Sequence, residues 1–381
     1  MPKSTDLCRF SSRRWRERSP SMFRSPWKRR WDSVGMRCNV GAGMPELPEV
    51  ETVARDLARL VGGATIRTGR IIRAANLSTP DTETFARSIA GRRIEGVRRR
   101  AKWVLVDLEG GLILMVHLRM TGQLIVLPQS AAPDQYVRAE LQLNDRRVIR
   151  FRDVRAFGRL ALVARRADGS PSRSLDPRDD AALSGHGPEP LEATFTVSRF
   201  SGDLKRRRGR LKSLLLDQRF IAGLGNIYVD ESLWRARLHP LATAASLRAA
   251  EAERLHGAIV ALLTEAVEAR GSSIDDYTGP DGDGAMQERL AVYQRGGQPC
   301  LRCGGVIRRV LLGGRGTHFC PRCQPLPRGR RAAGSKRDLM PTATTRRGPR
   351  WSEALTEGSA GATAAERAAA RRRAVRLGGA R

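Results

Sequence analysis

Between residues 49 and 61 the apolar side chains Val50, Val53, Ala54, Leu57, Leu60 and Val61 recur on one side of a helical wheel, which predicts an amphipathic helix. The pattern then breaks into short β-rich runs at 64–72, 93–99, 102–108, 111–117, 122–127, 136–143, 147–151 and 159–164. Gly, Pro and Asp-Arg turns separate them, and many short strands at this spacing predict an antiparallel sandwich. Lys102 to Leu108, then Glu-Gly-Gly, then Leu112 to His117 reads as a hairpin.

Residues 165–180 are polar, contain Pro and Asp, and read as a linker. From about 181 the pattern turns helical, most clearly at 209–217, 226–236 and 246–270. The stretch Phe220 to Tyr228 lies between the first two. Its two glycines permit a tight turn, and Asn226 suits the start of a helix. Residues 300–323 are a cysteine-bearing hairpin. After Pro325 and Pro327 the chain is Arg, Ala, Gly and Thr, which predicts disorder, with 363–376 able to become helical on an anion. Residues 1–43 are rich in Arg, Ser and Trp without any period, and are expected to be disordered or untranslated. The expected fold class is α+β: a 44–165 antiparallel β-sandwich with a helix, a 166–285 helical domain, a 286–324 cysteine ribbon and a basic tail at 325–381.

The 381 residues suffice for two or three domains. The net charge is +30, and the segment 44–323 alone keeps +12 of it. A field of this sign attracts polyanions, nucleic acid above all, although solubility or an Arg-rich genome also produces it. No stretch approaches 18 apolar residues, so no transmembrane helix and no membrane partner is expected. The N-terminus lacks the apolar segment of a secretory signal, though its Arg/Ser content imitates a transit peptide. Six cysteines, four clustered late plus Cys8 and Cys38, do not make an extracellular disulfide framework.

Cys300-x2-Cys303 and Cys320-x2-Cys323, sixteen residues apart, form two turns that each present two thiolates. A hairpin would bring them into one tetrahedral Zn2+ site, closed and therefore structural. Two redox CxxC motifs or free thiols are the alternative. Arg308, Arg309, Arg315 and His318 lie on that hairpin, where they could meet phosphates.

Met44-Pro-Glu-Leu-Pro-Glu-Val-Glu resembles the amino terminus of bacterial formamidopyrimidine-DNA glycosylases of the MutM type. The resemblance runs over about 44–324, with the motifs in the family's order. It implies that Pro45 is the nucleophile, acting through a free α-amine. Such an amine titrates at roughly 8, whereas a proline acylated by a preceding residue has no basic lone pair. Glu46 would manage protons beside it, and Glu49 completes the motif; otherwise Pro and Glu merely begin the helix. Lys102 in Arg-Arg-Ala-Lys would contact phosphate and assist β-elimination, or else belong to an exposed basic strand.

His117-Leu-Arg-Met-Thr-Gly resembles the loop whose methionine, here Met120, fills the gap left by an extruded base. In Asp153-Val-Arg-Ala-Phe-Gly, Arg155 would face the orphaned cytosine and Phe157 would wedge the stack. Core packing is the other reading of Met120 and Phe157. Gly223-Leu-Gly-Asn-Ile-Tyr matches the family's helix–two-turn–helix, implying phosphate contacts from Asn226 and, upstream, Arg208. Arg315 matches a zinc-finger arginine that grips phosphate and assists δ-elimination. Tyr136 stands where the family commonly has a DNA-contacting His, and Arg119 where Gly is frequent.

The resemblance implies a bifunctional glycosylase and abasic-site lyase in base-excision repair. It would remove 8-oxoguanine and formamidopyrimidines from double-stranded damaged DNA by a proline Schiff base and β,δ-elimination. Pro-Glu-Leu rather than Pro-Glu-Gly favours oxidised purines over the pyrimidine substrates of the endonuclease VIII branch. A monomer in the bacterial cytoplasm, at the nucleoid, is expected. If residues 1–43 are retained, the alternative is a damage-binding protein with a blocked nucleophile.

Overall fold

A computed structural model describes residues 44–272 and 284–326. The expectations for 1–43, the tail beyond 326 and the helix at 363–376 lie outside the described residues. Helix α1, Leu47–Val61, leads into β1, Ile66–Ile71, and a short helix α2, Thr82–Ile89. Seven strands follow: β2 Ile94–Arg100, β3 Trp103–Leu108, β4 Leu112–His117, β5 Gly122–Pro128, β6 Val137–Leu143, β7 Arg147–Asp153 and β8 Arg159–Ala164. They form two antiparallel sheets of order β1-β6-β7-β5 and β2-β3-β4-β8.

Every strand expected from the sequence is present. In the second sheet β3, β4 and β8 read as near-continuous apolar runs because both of their faces are covered, whereas the edge strand β2 is polar. Val104, Val106, Leu114, Val116, Leu160 and Leu162 point between the sheets, with α1 closing that core. Leu105, Ile113, Met115, Ala161 and Val163 pack outward against Leu183. Helix α2 has no counterpart in the sequence pattern: only Phe85 and Ile89 mark its buried face, too few for a periodic signal. Its start is legible in Asp81, whose carboxylate accepts from the Glu83 and Thr84 amides.

The segment 165–180 is more than a tether. Ser172 N donates to Ala164 O and Ala164 N to Ser174 O, so it supplies partners to the end of edge strand β8. Beyond it come α3 Val197–Lys205, also without a clear sequence signal, α4 Leu211–Leu215, α5 Asn226–Arg235 and α6 Ala249–Glu268. Their apolar faces form a second core, and Leu47 of α1 belongs to it. The last hairpin is β9 Arg308–Leu312 with β10 Arg315–Phe319. Among the described residues no helix is long and apolar enough to cross a membrane.

Candidate active site and nucleic-acid interface

The N-terminal motif is pinned to the turn before α5. Leu47 N donates to Gly223 O at 3.0 Å. Gly223 adopts φ +84, and a Cβ there would come within 2.7 Å of the Leu47 side chain. A Cβ on Gly225 would lie 2.3 Å from the Glu46 carboxyl carbon. The two glycines therefore permit both the turn and the close approach of Glu46. Gly225 occupies the N-cap position, so Asn226 is the first helical residue rather than the cap.

Glu46 is 3% exposed. Its carboxylate accepts from the Ile227 amide at 2.9 Å and the Tyr228 amide at 3.3 Å, at the start of α5. Burial nonetheless dominates and raises its pKa to about 7; Lys102 opposes this and Glu49 adds to it. Glu49 braces the motif: it accepts from Glu46 N at 2.9 Å, the Tyr228 hydroxyl at 2.5 Å and Ser272 N at 2.8 Å. Pro45, next to Glu46, is itself buried.

Lys102 follows Ala101, which has φ +54 in the β2–β3 turn. Glu189 holds that turn, accepting from Ala101 N, Arg99 Nη1 and Arg100 Nη1, each at 2.6 Å. Lys102 is half-buried. Burial lowers its pKa; the charges of Glu46 and Glu49 raise it and Arg315 lowers it further. Glu46, Lys102 and Arg315 thus share one electrostatic neighbourhood. A carboxyl that is substantially protonated near neutrality beside an amine can exchange protons with a reacting group.

Arg315 is exposed at the head of β10. The next carbonyl, Gly316 O, accepts from Asn226 Nδ2 at 2.9 Å and Lys212 Nζ at 3.2 Å. Lys212 is fully buried and pairs with Asp230 at 2.6 Å, and Asp230 also takes the His318 amide at 2.8 Å. No sequence signal marks Lys212, since a lysine in a helix ordinarily faces water. Tyr293 is likewise unmarked: its ring meets His318 at 5.3 Å, and its pKa is raised first by burial and then by the charges of Glu46 and Asp230. Arg208 is exposed and makes no ion pair with any described residue.

The remaining candidates gather at one end of the sandwich. Arg155 Nη1 donates to Met120 Sδ at 3.1 Å, and its guanidinium lies 5.0 Å over the Phe157 ring. Phe157 is 52% exposed and Met120 half-buried, so neither is ordinary core. Tyr136 lies beside them: its carbonyl accepts Asp153 N at 2.9 Å, and Arg152 stacks 5.0 Å over its ring. His117 links this end to Lys102. Burial, reinforced by Arg119 and Lys102, lowers its pKa to about 3, and its Nδ1 accepts Arg119 N at 3.1 Å.

The four cysteine sulfurs lie within 4.8 Å of one another. Cys303 to Cys320 is 3.5 Å and Cys300 to Cys323 is 3.9 Å. A tetrahedral zinc at 2.3 Å from each sulfur requires edges of about 3.8 Å, so these residues fit the ion. Val292, Ile307 and Trp234 pack around them.

Comparison with known proteins matches three families along the chain. The family model described as Formamidopyrimidine-DNA glycosylase N-terminal domain matches residues 44–160. The Formamidopyrimidine-DNA glycosylase H2TH domain matches 186–278, and the zinc finger found in FPG and IleRS matches 297–326. Formamidopyrimidine-DNA glycosylase of Roseiflexus sp. (strain RS-1) is 45% identical over 284 residues, covering 74% of this chain and 100% of that protein. The Chloroflexus aurantiacus protein of the same name is 46% identical, covering 74% and 98%. Among solved structures, MutM (Fpg) from Thermus thermophilus aligns with a TM-score of 0.64 at 44% identity over 74% of this chain and 100% of that one. Lactococcus lactis Fpg in complex with abasic-site DNA aligns with a TM-score of 0.66 at 33% identity and the same coverage. The chain therefore belongs to the formamidopyrimidine-DNA glycosylase family, zinc-bearing DNA glycosylases of base-excision repair.

Proposed function

We propose that this glycosylase excises oxidised purines, 8-oxoguanine and formamidopyrimidines, and then cleaves the abasic strand it creates. The observation that carries the reading is the buried Glu46 carboxyl, raised to about 7 and flanked by Pro45 and Lys102. The Pro45 amine attacks C1′ of the damaged nucleotide, and the C1′–base bond breaks with its electron pair leaving on the base, which takes up the proton that the amine nitrogen releases. Glu46, as the acid, gives its proton to the ring oxygen while the C1′–O4′ bond opens. The product is an iminium between Pro45 and C1′. Loss of a C2′ proton then expels the 3′-phosphate, and a second elimination expels the 5′-phosphate. Lys102 and Arg315 hold the phosphates through these steps.

Met120, Arg155 and Phe157 enter the stack as the base is extruded, with Tyr136 on a neighbouring phosphate. Arg208 and Asn226 fix the strand on the helix–two-turn–helix. Cys300, Cys303, Cys320 and Cys323 hold one zinc, which supplies no chemistry beyond fixing the hairpin that carries Arg315. In this reading 44–165 is the catalytic domain, 166–285 and 286–324 grip DNA, and the protein works as a monomer at the cytoplasmic nucleoid.

The reading requires a free amine on Pro45, so the active chain begins there, with Met44 removed. The family match beginning at residue 44 supports this. Borohydride should trap the Met44-start protein on DNA carrying an abasic site or 8-oxoguanine, and Pro45→Gly should weaken trapping. Protein proven by intact mass to retain residues 1–43 should bind damaged DNA without being trapped. Equal trapping of both forms would remove the amine assignment.

A further inference from the structure

Asp153 is completely buried, yet it has no salt bridge with any described residue. A buried carboxylate without a cation persists only where hydrogen bonds satisfy it. Its Oδ1 accepts the Thr121 hydroxyl at 2.5 Å, and its Oδ2 accepts Gly158 N at 2.7 Å. Thr121 Oγ1 in turn accepts Arg155 N at 3.1 Å. Thr121 adjoins Met120, while Gly158 adjoins Phe157. One carboxylate thus ties the loop of Met120 to the loop of Arg155 and Phe157.

A second side chain completes the frame. Asn76, completely buried after α1 and β1, donates through Nδ2 to Gly158 O at 2.7 Å and to Ala156 O at 3.3 Å. Both loops carry a non-glycine residue in the left-handed region, Arg119 at φ +57 and Ala156 at φ +55. Conformations of this kind persist where surrounding structure over-determines them. Asp153 and Asn76 supply that restraint on the second loop, and Asp153 passes it through Thr121 to the first.

We infer that Asp153, Thr121 and Asn76 are positioning residues that weld the two loops, so that Met120, Arg155 and Phe157 enter DNA as a single unit. This rests on the reading above that those three side chains probe the duplex. None of the positioning residues need touch DNA.

The test is a mutant cycle on the full protein, with a duplex containing paired 8-oxoguanine and a 2-aminopurine beside it. In the native background Met120→Ala and Phe157→Ala should each slow excision about tenfold, and together little more than either alone, because contacts within one unit are not additive. Thr121→Val keeps the side-chain shape but removes both hydrogen bonds. It should slow excision and the 2-aminopurine unstacking step about tenfold, spare cleavage of a pre-formed abasic site to within about twofold, and make the two alanine effects multiply. Thr121→Ser should restore native behaviour. Asp153→Asn should act in the same direction, since the one oxygen it keeps cannot accept from both the Thr121 hydroxyl and the Gly158 N–H.

If both alanine variants slow excision while Thr121→Val changes neither excision nor their coupling, the weld is refuted and the duplex-probing role stands. If neither alanine variant slows excision, the probing role fails and the weld with it. A parallel loss of melting temperature and of both activities in Thr121→Val and Asp153→Asn would reduce the network to plain structural support and overturn the inference.

Discussion

Glu46 is 3% exposed and Phe157 is 52% exposed, although one sandwich carries both. Around Glu46, order comes from both cores of the protein. Amides of α5, the Tyr228 hydroxyl, Ser272 and the Glu189 clasp fix two carboxylates and a lysine in a region poor in water. Around Phe157 a large aromatic is left in solvent, and only the loops beneath it are restrained. The contrast separates two demands. Proton transfer at neutral pH needs a desolvated carboxyl, whereas entry into stacked bases needs apolar surface whose burial waits for DNA.

The largest predicted effect lies in the pocket. Glu46→Gln should lower single-turnover excision by roughly 10²- to 10⁴-fold, the range of a lost general acid. In the proposed mechanism the acid form is the competent one, so with a pKa of about 7 native activity should fall as pH rises through 7. The variant should lose that alkaline limb. A pH–rate profile of both proteins checks this, and an unchanged limb would transfer the titration to another group.

Next in size is the zinc hairpin, which brings Arg315 into the electrostatic neighbourhood of Lys102. Cys320→Ser or chelation should weaken duplex binding at least about tenfold and release the metal, since zinc supplies local folding energy. The sandwich should keep its circular dichroism. Unchanged binding at one zinc per chain would contradict four-thiolate ligation.

At the exposed edge, Met120→Ala should slow excision from a paired lesion duplex about tenfold while cleavage of a pre-formed abasic site is largely spared, because only the former must flip a base. Melting temperature should hardly move. A core methionine would instead cost about 2–5 kcal/mol of stability on truncation, and both activities would fall together.

A further effect is thermodynamic. The Glu46 carboxyl rises on folding from 4.5 to about 7. The folded state then binds the extra proton between those values, so this stabilising contribution is complete below pH 4.5 and lost as pH rises through 7. The difference is roughly 3 kcal/mol. Denaturant melts from pH 5 to 8 should show a shallower decline in Glu46→Gln than in the native protein, and parallel curves would mean that the carboxyl is not strongly desolvated.

The two regions are also unequally legible. The Cys300–Cys323 spacing announces its chemistry, and the sandwich strands announce themselves through their apolar runs. Glu46, Met120 and Phe157 can be singled out only because strings of neighbouring residues match a family. Lys212, Asp230, Asn76 and Asp153 are invisible in the sequence as functional supports. Their roles come from partners far along the chain, such as Lys212 with Gly316 and Asn76 with Gly158, and no local pattern encodes a contact of that kind. Helices α2 and α3 escape because each buries only two apolar residues, Phe85 and Ile89 in one and Phe200 and Leu204 in the other, too few for a period to rise above the background.

Leu47 belongs to the helical core and Val50, three residues on, to the sandwich core. The segment that opens α1 is therefore a rivet through two separately built plates. Glu46 finds its amide partners only after the α5 turn exists, and Lys102 reaches it only after the β2–β3 turn exists. A molecule with one half melted has no assembled site. A DNA glycosylase built this way has its site only when both halves are in place, and its activity certifies that the whole core has folded.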